Sequence, residues 1–352
     1  MTAVNLPSRI RRTPMKPVAK PYRSGNMSVA EFQAHWLASW VEEFGIDGFR
    51  CDTAKHVTQS TWKLLKEYST EALTKWRQNH VNGDDPAAAW TDDFWMTGEH
   101  WGYEIKPGES VDKLGYAANG DFDSMINFAF NPDKVSGCRI PSLGDWDTYA
   151  GRYGSGSGSP KPMALSYVSS HDTSLCRPGD MKQLGTMLIL MPGGVQVFYG
   201  DETGRPNDNG GSANDSEHGT RSDMNFPADI GNQAEWAANA DTLSTAFSSN
   251  ETLAHWQKVG QFRSRNPAVG AGSQTKTADG SLCRKYTNEK EGIENNTVVI
   301  HLGAASTVNT GDCFDEGETV VDAYSGNSGT VSGGSVSIPG TGDVILIEAD
   351  RR

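Results

Sequence analysis

Three apolar runs of this chain each end in an acidic residue, and segments with helical spacing lie between them. Asp52, Glu99 and Asp172 follow these runs directly. In a parallel barrel the carboxyl ends of the strands meet at one face, and catalytic residues come from the ends of several strands. The pattern therefore predicts a parallel α/β barrel with a composite site that contains three carboxylates.

Hydrophobic spacing predicts the elements around these runs. Ser28 and Glu31 form a capping box, and apolar residues then recur at helical spacing over 32–44, so a helix is expected there. Gly45 is expected to end it. Further helices are predicted at 60–76, 181–191 and 253–262, and strands at 47–52, 94–99, 124–130, 165–171 and 195–199.

Beyond about residue 272 the pattern changes to short runs rich in β-branched residues, separated by Gly, Asn and Thr. These runs lie at 298–302, 320–324 and 344–348. They predict a small antiparallel β-sandwich. The sequence thus divides into an irregular basic segment (1–26), a parallel α/β barrel part (27–272) and a β-sandwich domain (273–352).

Composition narrows the choice of partners. The net charge of −13 would be repelled by nucleic acid and by anionic membranes, so we expect neither as a partner, and a neutral substrate fits better. No apolar run reaches the roughly 18 residues of a membrane span. Residues 1–23 are basic and proline-rich without an apolar core, so we expect no signal peptide in them.

The five cysteines lack the spacing of a metal site, and their odd number leaves at least one thiol free. Cys283 and Cys313 are the candidate disulfide, because they lie on opposite sides of an apolar strand in the C-terminal part. Free buried thiols are an equal alternative for these two residues.

The first acidic run carries the densest cluster of polar side chains. Side chains alternate along a strand, so Arg50 and Asp52 point to the same side, and the guanidinium favours an ionised carboxylate. Glu99 precedes the rings of His100 and Trp101, where poor solvation favours a protonated carboxyl. Taken alone, an Arg–Asp pair is more often structural, and a single glutamate after a glycine carries little information.

Three short segments match a known pattern, in the same order along the chain. They are Gly-Phe-Arg-Cys-Asp-Thr-Ala-Lys-His at 48–56, Gly-Glu at 98–99 and Ser-His-Asp at 170–172. They resemble three of the four short motifs of the α-amylase family of retaining glycoside hydrolases, and the likeness extends over most of residues 27–350. Their joint occurrence at successive strand ends favours a glycosidase site over the structural interpretations.

The resemblance implies a role for each of the three acids. Asp52 would be the nucleophile, Glu99 the general acid/base and Asp172 the stabiliser of the transition state. Arg50 and His171 would position the carboxylate and the sugar hydroxyls. The implied reaction is hydrolysis of α-1,4-glucosidic bonds of starch or maltodextrins by a retaining double displacement.

Other residues would bind substrate or metal by the same resemblance. Lys55 and His56 would contact sugar in the next subsite, and the backbone carbonyl of His56 would bind Ca²⁺. Trp101 is a candidate for stacking on sugar, with core packing as the alternative. Asp201 and Glu202 are interpreted as solvated acids at a strand end rather than as substrate ligands. The resemblance also implies a periplasmic or secreted protein.

One motif of the family has no counterpart here. The motif after the third barrel strand is absent, since the chain begins just before the fourth. We therefore expect strands four to eight of a (β/α)8 TIM barrel, and about three strands and most calcium ligands would lie outside this chain. Two rival functions stay open: a transglycosidase that transfers the glycosyl group to a sugar, and a maltodextrin-binding remnant without catalysis.

Overall fold

The computed structural model describes residues 28–81, 83, 85–134, 138–154, 161–205, 220–222, 224, 250–289, 292–339 and 342–350. The N-terminal segment 1–26 lies outside these residues. The chain divides into two units: one comprises residues 1–100 and 114–123, and the other comprises residues 101–113 and 124–352.

Helices and parallel strands alternate in the first unit. As predicted, Ser28 and Glu31 form a capping box at the start of its first helix. Gly45 ends that helix with φ 67°, and a Cβ there would lie 2.4 Å from the ring of Trp76, so glycine is required. In chain order the elements are α1 (Val29–Phe44), β1 (Gly48–Cys51), α2 (Gln59–His80), β2 (Trp95–Gly98) and α3 (Tyr116–Gly120).

A buried ion pair fastens α2 to the start of β2. Lys66 Nζ lies 2.5 Å from Asp123 Oδ2, and both side chains are buried. The same carboxylate oxygen accepts the Met96 N–H at 2.8 Å, and Lys66 also donates to the carbonyl of Phe94. Removing either charge would leave the other one buried and unpaired, so this pair fixes how α2 packs on the strand.

The second unit begins with the same alternation. Its strands β3, β4 and β5 pair in parallel in that order, so the predicted alternation is confirmed in both units. None of the helices in the described part of the chain is long and apolar enough to cross a membrane. The elements are β3 (Ser124–Asn127), α4 (Leu143–Tyr153), β4 (Met163–Ser166), α5 (Met181–Ile189), β5 (Gly194–Val195), α6 (Glu251–Arg265) and α7 (Ala268–Ala271).

The strands are shorter than the apolar runs predict. β3 ends at Asn127, whose side-chain oxygen accepts the Ala129 N–H at 3.2 Å and begins a 3-10 helix over Phe128–Phe130. β5 has only two residues, although Gln196 still donates a hydrogen bond to β4 at 2.8 Å. Apolar runs mark buried backbone, but local side-chain caps decide where strand pairing stops.

The C-terminal region is an antiparallel sheet of eight described strands in the order β6-β7-β8-β13-β10-β11-β12-β9. Cys283 and Val299, near one end of this order, share a core cluster with Val331 and Val336 near the other. The antiparallel β region is confirmed, but one continuous sheet curls around its core where two packed sheets had been expected. Its strands are β6 (Ser273–Lys276), β7 (Leu282–Asn288), β8 (Ile293–Leu302), β9 (Thr307–Asn309), β10 (Thr319–Asp322), β11 (Ser328–Ser332), β12 (Ser335–Ser337) and β13 (Val344–Ala349).

A buried arginine connects the β region to the helices before it. Arg284 on β7 is fully buried, and its NH1 donates to the carbonyls of Leu190 and Val269, each at 2.6 Å. Its guanidinium lies over the ring of Trp146 of α4, 5.0 Å from the centroid. Hydrogen bonds therefore cross the boundary that the sequence indicates near residue 272.

Two disulfides are present. Cys283–Cys313 lies within the β region and confirms the candidate pair. Cys138–Cys176 joins the segments after β3 and β4, and the sequence did not predict it, because only the fold brings these segments together. Cys51 is free and buried, and burial raises the pKa of its thiol to about 12.

Candidate active site

The ends of β1 and β2 carry two of the predicted catalytic acids, Asp52 and Glu99. β1 and β2 pair in parallel with Cys51 opposite Gly98, so Asp52 and Glu99 follow at neighbouring strand ends. Arg50 NH1 donates to Asp52 Oδ2, as the alternation of side chains predicts. The side chain of Asp52 is 65% exposed, so the arginine orients a carboxylate that is still open to a ligand.

Glu99 is buried and holds the turn that carries Asp52. It is 7% exposed, and its Oε2 accepts the Thr53 N–H at 2.9 Å. Backbone bonds join the same strand ends: Ala54 donates to the Glu99 carbonyl at 2.7 Å, and Glu99 donates to the Cys51 carbonyl at 2.8 Å. The two acids therefore have contrasting surroundings, one exposed beside an arginine and one buried against backbone.

Thr53 between these acids has a strained backbone. Its φ of 49° and ψ of 39° lie in the left-handed region, which a β-branched residue rarely adopts. Such a conformation costs about 1–3 kcal/mol and persists where surrounding contacts impose it, often at functional sites. Here the bond to Glu99 fixes the Thr53 N–H. No pattern in the sequence signals this strain.

The turn after Asp52 presents two further predicted residues. Lys55 and His56 lie in a 3-10 turn, and both are exposed. His100, for which the sequence indicated no role of its own, follows the buried glutamate, and its Nδ1 lies 2.8 Å from Tyr116 Oη. Burial lowers the pKa of His100, and the charge of Lys55 lowers it further. His100 is therefore neutral at pH 7.

In the second unit, His171 and Asp172 form a turn after β4. His171 Nε2 lies 2.9 Å from Asp172 Oδ2, and Arg221 donates from NH2 to Asp172 Oδ1 at 2.8 Å. The carbonyl of His171 accepts hydrogen bonds from Thr220 Oγ1 at 2.9 Å and from Arg221 Nε at 3.2 Å. The sequence analysis assigns no role to Arg221. The only signal that could have identified this arginine is its position within the part of the chain that resembles the family.

Trp101, also in the second unit, is half exposed. Its ring centroid lies 5.0 Å from that of Phe128, and 47% of the residue is accessible. One part of the indole therefore packs on the protein while the rest is open to solvent. Sugar stacking at Trp101 stays a prediction.

Asp201 is buried, contrary to the solvated acid that the sequence indicates. Its Oδ1 accepts a hydrogen bond from Arg177 NH1 at 2.6 Å. Burial raises the pKa of Asp201, and the charge of Arg177 counteracts that rise. Glu202 Oε2 accepts the N–H of Gly200 at 2.9 Å. Both acids therefore have structural partners in the protein.

Calcium binding through the backbone carbonyl of His56 stays a prediction. Among the described residues, no group of three or more His, Cys, Asp or Glu side chains is placed to hold a metal ion. Ca²⁺ takes about six to eight oxygen ligands, and the carbonyl of His56 would supply one. A calcium ion bound there would need further oxygen ligands.

Apart from Trp101, the predicted site residues fall into two groups, one in each unit. The first group shares the neighbouring ends of β1 and β2 and the turn after β1. The second group surrounds the turn after β4. The first contains Arg50, Asp52, Lys55, His56 and Glu99, and the second contains His171 and Asp172 together with Arg221.

Comparison with known sequences identifies relatives of this chain. Residues 23–272 match the family described as "Alpha amylase, catalytic domain". Over 250 residues the chain is 40% identical to the periplasmic α-amylase of Escherichia coli (strain K12), an alignment that covers 70% of this chain and 31% of that protein. The chain therefore spans only part of the length of this relative.

Solved structures support the same assignment at the level of the fold. An α-amylase from Geobacillus thermoleovorans in complex with acarbose superimposes with a TM-score of 0.56 at 16% identity, covering 92% of this chain and 64% of that one. A protein named AmyP, in complex with maltose, gives a TM-score of 0.54 at 16% identity, covering 93% and 68%. With the catalytic-domain match over residues 23–272, these findings show that the chain belongs to the α-amylase family.

Proposed function

We propose that this chain carries catalytic residues of an α-amylase-type glycoside hydrolase that cleaves α-1,4-glucosidic bonds of starch or maltodextrins with retention. The observation that carries the proposal is the contrast between the two acids at neighbouring strand ends. Asp52 is exposed and paired with Arg50, whereas Glu99 is buried and bound to Thr53. A retaining double displacement needs one ionised carboxylate and one carboxyl that donates a proton.

The proposed reaction has two steps. In the first, Asp52 attacks the anomeric carbon while Glu99 gives its proton to the leaving oxygen, so the glycosidic bond breaks and a glycosyl ester of Asp52 forms. In the second, Glu99 takes a proton from water, whose oxygen attacks the same carbon and releases Asp52. The Thr53 N–H occupies Oε2 of Glu99, which leaves Oε1 to carry the transferred proton.

The remaining residues would bind and orient the sugar. Asp172 would accept hydrogen bonds from sugar hydroxyls, and His171 would donate one to a sugar oxygen. Both would thereby stabilise the charge that develops at the anomeric carbon. Lys55 and His56 are exposed on the turn after the nucleophile, and Trp101 offers part of an aromatic face. The bound acarbose and maltose in the two solved relatives support an α-glucan as the ligand.

Architecture and location are proposed on the same basis. The five parallel strands would be strands four to eight of a (β/α)8 barrel. A periplasmic or secreted location is supported by the two disulfides, which persist in oxidising compartments, and by the name of the Escherichia coli relative. Calcium binding through His56 would need further oxygen ligands beyond those described.

Replacement of the two acids tests the function. We expect Asp52→Asn to lower turnover of maltoheptaose by about a thousandfold or more, because the covalent nucleophile is lost. Glu99→Gln should abolish starch cleavage but spare nitrophenyl maltosides, whose leaving group needs little protonation. Asp47→Asn is the matched control, since Asp47 is also an exposed aspartate paired with an arginine, Arg77, at 3.2 Å.

Three outcomes separate the proposal from its rivals. Retention of more than about a tenth of the activity in Asp52→Asn would contradict the nucleophile assignment. Transfer of glucosyl units to sugar rather than to water, seen in the product spectrum, would identify a transglycosidase. Calorimetric binding of acarbose without any turnover would identify a maltodextrin-binding protein.

A further inference from the structure

Two nitrogen groups lie against the carboxylate of Asp172, and Arg221 donates a hydrogen bond to it. His171 Nε2 lies 2.9 Å from Oδ2, and Arg221 NH2 lies 2.8 Å from Oδ1. Each oxygen thus has one nitrogen partner, which restricts rotation of the carboxylate about its last bond. The side chains of Asp172 and Arg221 are 40% and 47% exposed, so a ligand can reach this pair.

Arg221 also binds the backbone of the same turn. Its Nε donates to the carbonyl of His171 at 3.2 Å, and Thr220 Oγ1 donates to the same oxygen at 2.9 Å. One guanidinium therefore contacts the carboxylate of Asp172 and the peptide group before it. It orients the side chain and the turn together.

A second arginine fixes the segment that carries Arg221. Arg205 is fully buried, and it donates from NH2 to the carbonyl of Thr220 and from NH1 to that of Ser222, each at 3.1 Å. It also donates to the hydroxyl of Ser222, and its guanidinium lies 4.2 Å from the ring centroid of Tyr199. The backbone on both sides of Arg221 is therefore anchored to a buried cation.

We propose that Arg221 is a positioning residue that orients Asp172 toward the hydroxyls of a bound sugar. The proposal rests on the proposed function, in which Asp172 stabilises the transition state. Each oxygen of a carboxylate can accept about two hydrogen bonds. Arg221 donates one hydrogen bond to Oδ1, and His171 Nε2 lies against Oδ2, so each oxygen keeps a position for a sugar hydroxyl. Arg221 thus orients Asp172 without blocking it.

The test compares Arg221→Met with Arg265→Met. Arg265 is a matched arginine in another part of the unit: its side chain is 51% exposed, and it lies 2.9 Å from the carboxylate of Glu348. With maltoheptaose we expect Arg221→Met to lower kcat about tenfold to a hundredfold, because misorientation costs mainly in the transition state. KM should stay within about threefold, and Arg265→Met should change neither constant.

Rescue separates positioning from a structural role. Arg221→Lys should restore part of kcat, because lysine keeps the charge but lacks the planar fork that binds two acceptors. Guanidinium ion added to Arg221→Gly should restore kcat at concentrations that leave the wild-type rate unchanged. Wild-type kcat in Arg221→Met, or no rescue by either route, overturns the positioning role.

A spectroscopic readout does not depend on turnover. In histidine-labelled protein, with His171 assigned through His171→Gln, the ring resonances of His171 should shift in Arg221→Met but not in Arg265→Met. If the wild-type chain neither cleaves maltoheptaose nor binds acarbose, the proposed function fails. The His171 spectrum still decides the Arg221 contact in that case: a shift supports it, and unchanged resonances overturn it.

Discussion

Arg177 forms an ion pair with the buried Asp201, and this pair connects the segments after β4 and β5. Asp201 is fully buried, and the side chain of Arg177 is 18% exposed. The same guanidinium donates to the carbonyl of Arg205 at 2.6 Å and to that of Cys176 at 2.8 Å. One cation thus supports the loop that carries His171 and the segment that leads to Arg205.

Removing the acid of this pair should be costly. We expect Asp201→Ala to lower the free energy of unfolding by about 3 kcal/mol, because Arg177 is left with a largely buried and uncompensated charge. Adding Arg177→Met to this variant should recover part of that loss. Urea unfolding of the two single variants and the double variant measures the coupling, and strictly additive losses would contradict it.

The sequence predicts ion pairs between residues that are close in the chain, but it does not predict those between distant residues. Arg50 and Asp52 could be paired from the sequence because they lie two residues apart on one strand. Arg221 and Asp172 could not, since they are 49 residues apart and only the fold brings them into contact. The chemistry of the site residues is readable locally, whereas the contacts that orient them are tertiary.

At the scale of elements, helix α6 contacts both α5 and the β region through one histidine. His255 is 1% exposed, its Nε2 lies 2.9 Å from Thr186 Oγ1, and its Nδ1 lies 2.7 Å from Tyr324 Oη. Lys258, one turn later on α6, donates to the carbonyl of Tyr324 at 2.9 Å. These polar contacts fix the helix against both neighbours.

This contact should make stability depend on pH. Burial lowers the pKa of His255; Asp343 and Asp180 oppose that shift and the charge of Lys182 adds to it. The unfolded chain binds a proton near pH 6.5, whereas the folded chain resists it, so stability is full above pH 6.5 and falls as the pH decreases below it.

Replacement of His255 should therefore weaken the pH dependence of the free energy of unfolding. We expect the unfolding free energy of the wild type to fall more between pH 7 and pH 5 than that of His255→Gln. Urea unfolding at both pH values measures the difference. His80→Gln, at an exposed histidine of α2, should behave as the wild type. Parallel losses in all three proteins would contradict the role of His255.

Helices were easier to predict than strand ends. The helix expected at 253–262 is the central part of α6, because periodicity and capping residues act within the helix itself. A strand was expected at 165–171, but β4 already ends at Ser166. Beyond it, Ser169 Oγ accepts the N–H of Cys176 at 3.0 Å, so this segment bonds to its own loop instead of to a neighbouring strand. Strand length depends on such partners, which hydrophobic spacing does not reveal.

At the scale of the molecule, an exposed aromatic face on α1 bears on behaviour in solution. β1, which follows this helix in the chain, is first in its strand order, so it is an edge among the described strands. Large exposed apolar patches and open strand edges promote association. Four aromatic residues of α1 that recur every four positions are each at least 37% exposed: Phe32, Trp36, Trp40 and Phe44.

We expect the purified chain to self-associate in a concentration-dependent way through this face. Replacing Trp36 and Phe44 with lysine should shift the chain toward monomer, because both side chains are exposed and the new charges repel. Size-exclusion chromatography with light scattering measures the change. Trp90→Lys, at a residue 52% exposed elsewhere in the unit, is the control. A monomeric wild-type chain at high concentration would contradict the expectation.

The sequence predicts the kinds of secondary structure in each region, but it does not predict the order of the strands in the C-terminal sheet. Alternating helices and apolar strands indicated parallel α/β structure, because such strands need crossover helices. The order of the C-terminal strands could not be predicted, since β8 pairs with β13 and β9 pairs with β12. Side-chain alternation shows which face of a strand is buried but not which strand lies beside it.

The position of Arg284 limits how this chain could be recombined with its relatives. The carbonyls of Leu190 and Val269 and the indole face of Trp146 all receive their cationic partner from a strand that follows residue 272. A gene fusion at that boundary would leave these acceptors without a donor. The C-terminal β region therefore cannot be exchanged for that of a relative without loss of these contacts, unless the incoming β region carries an arginine at the position of Arg284 on its second strand.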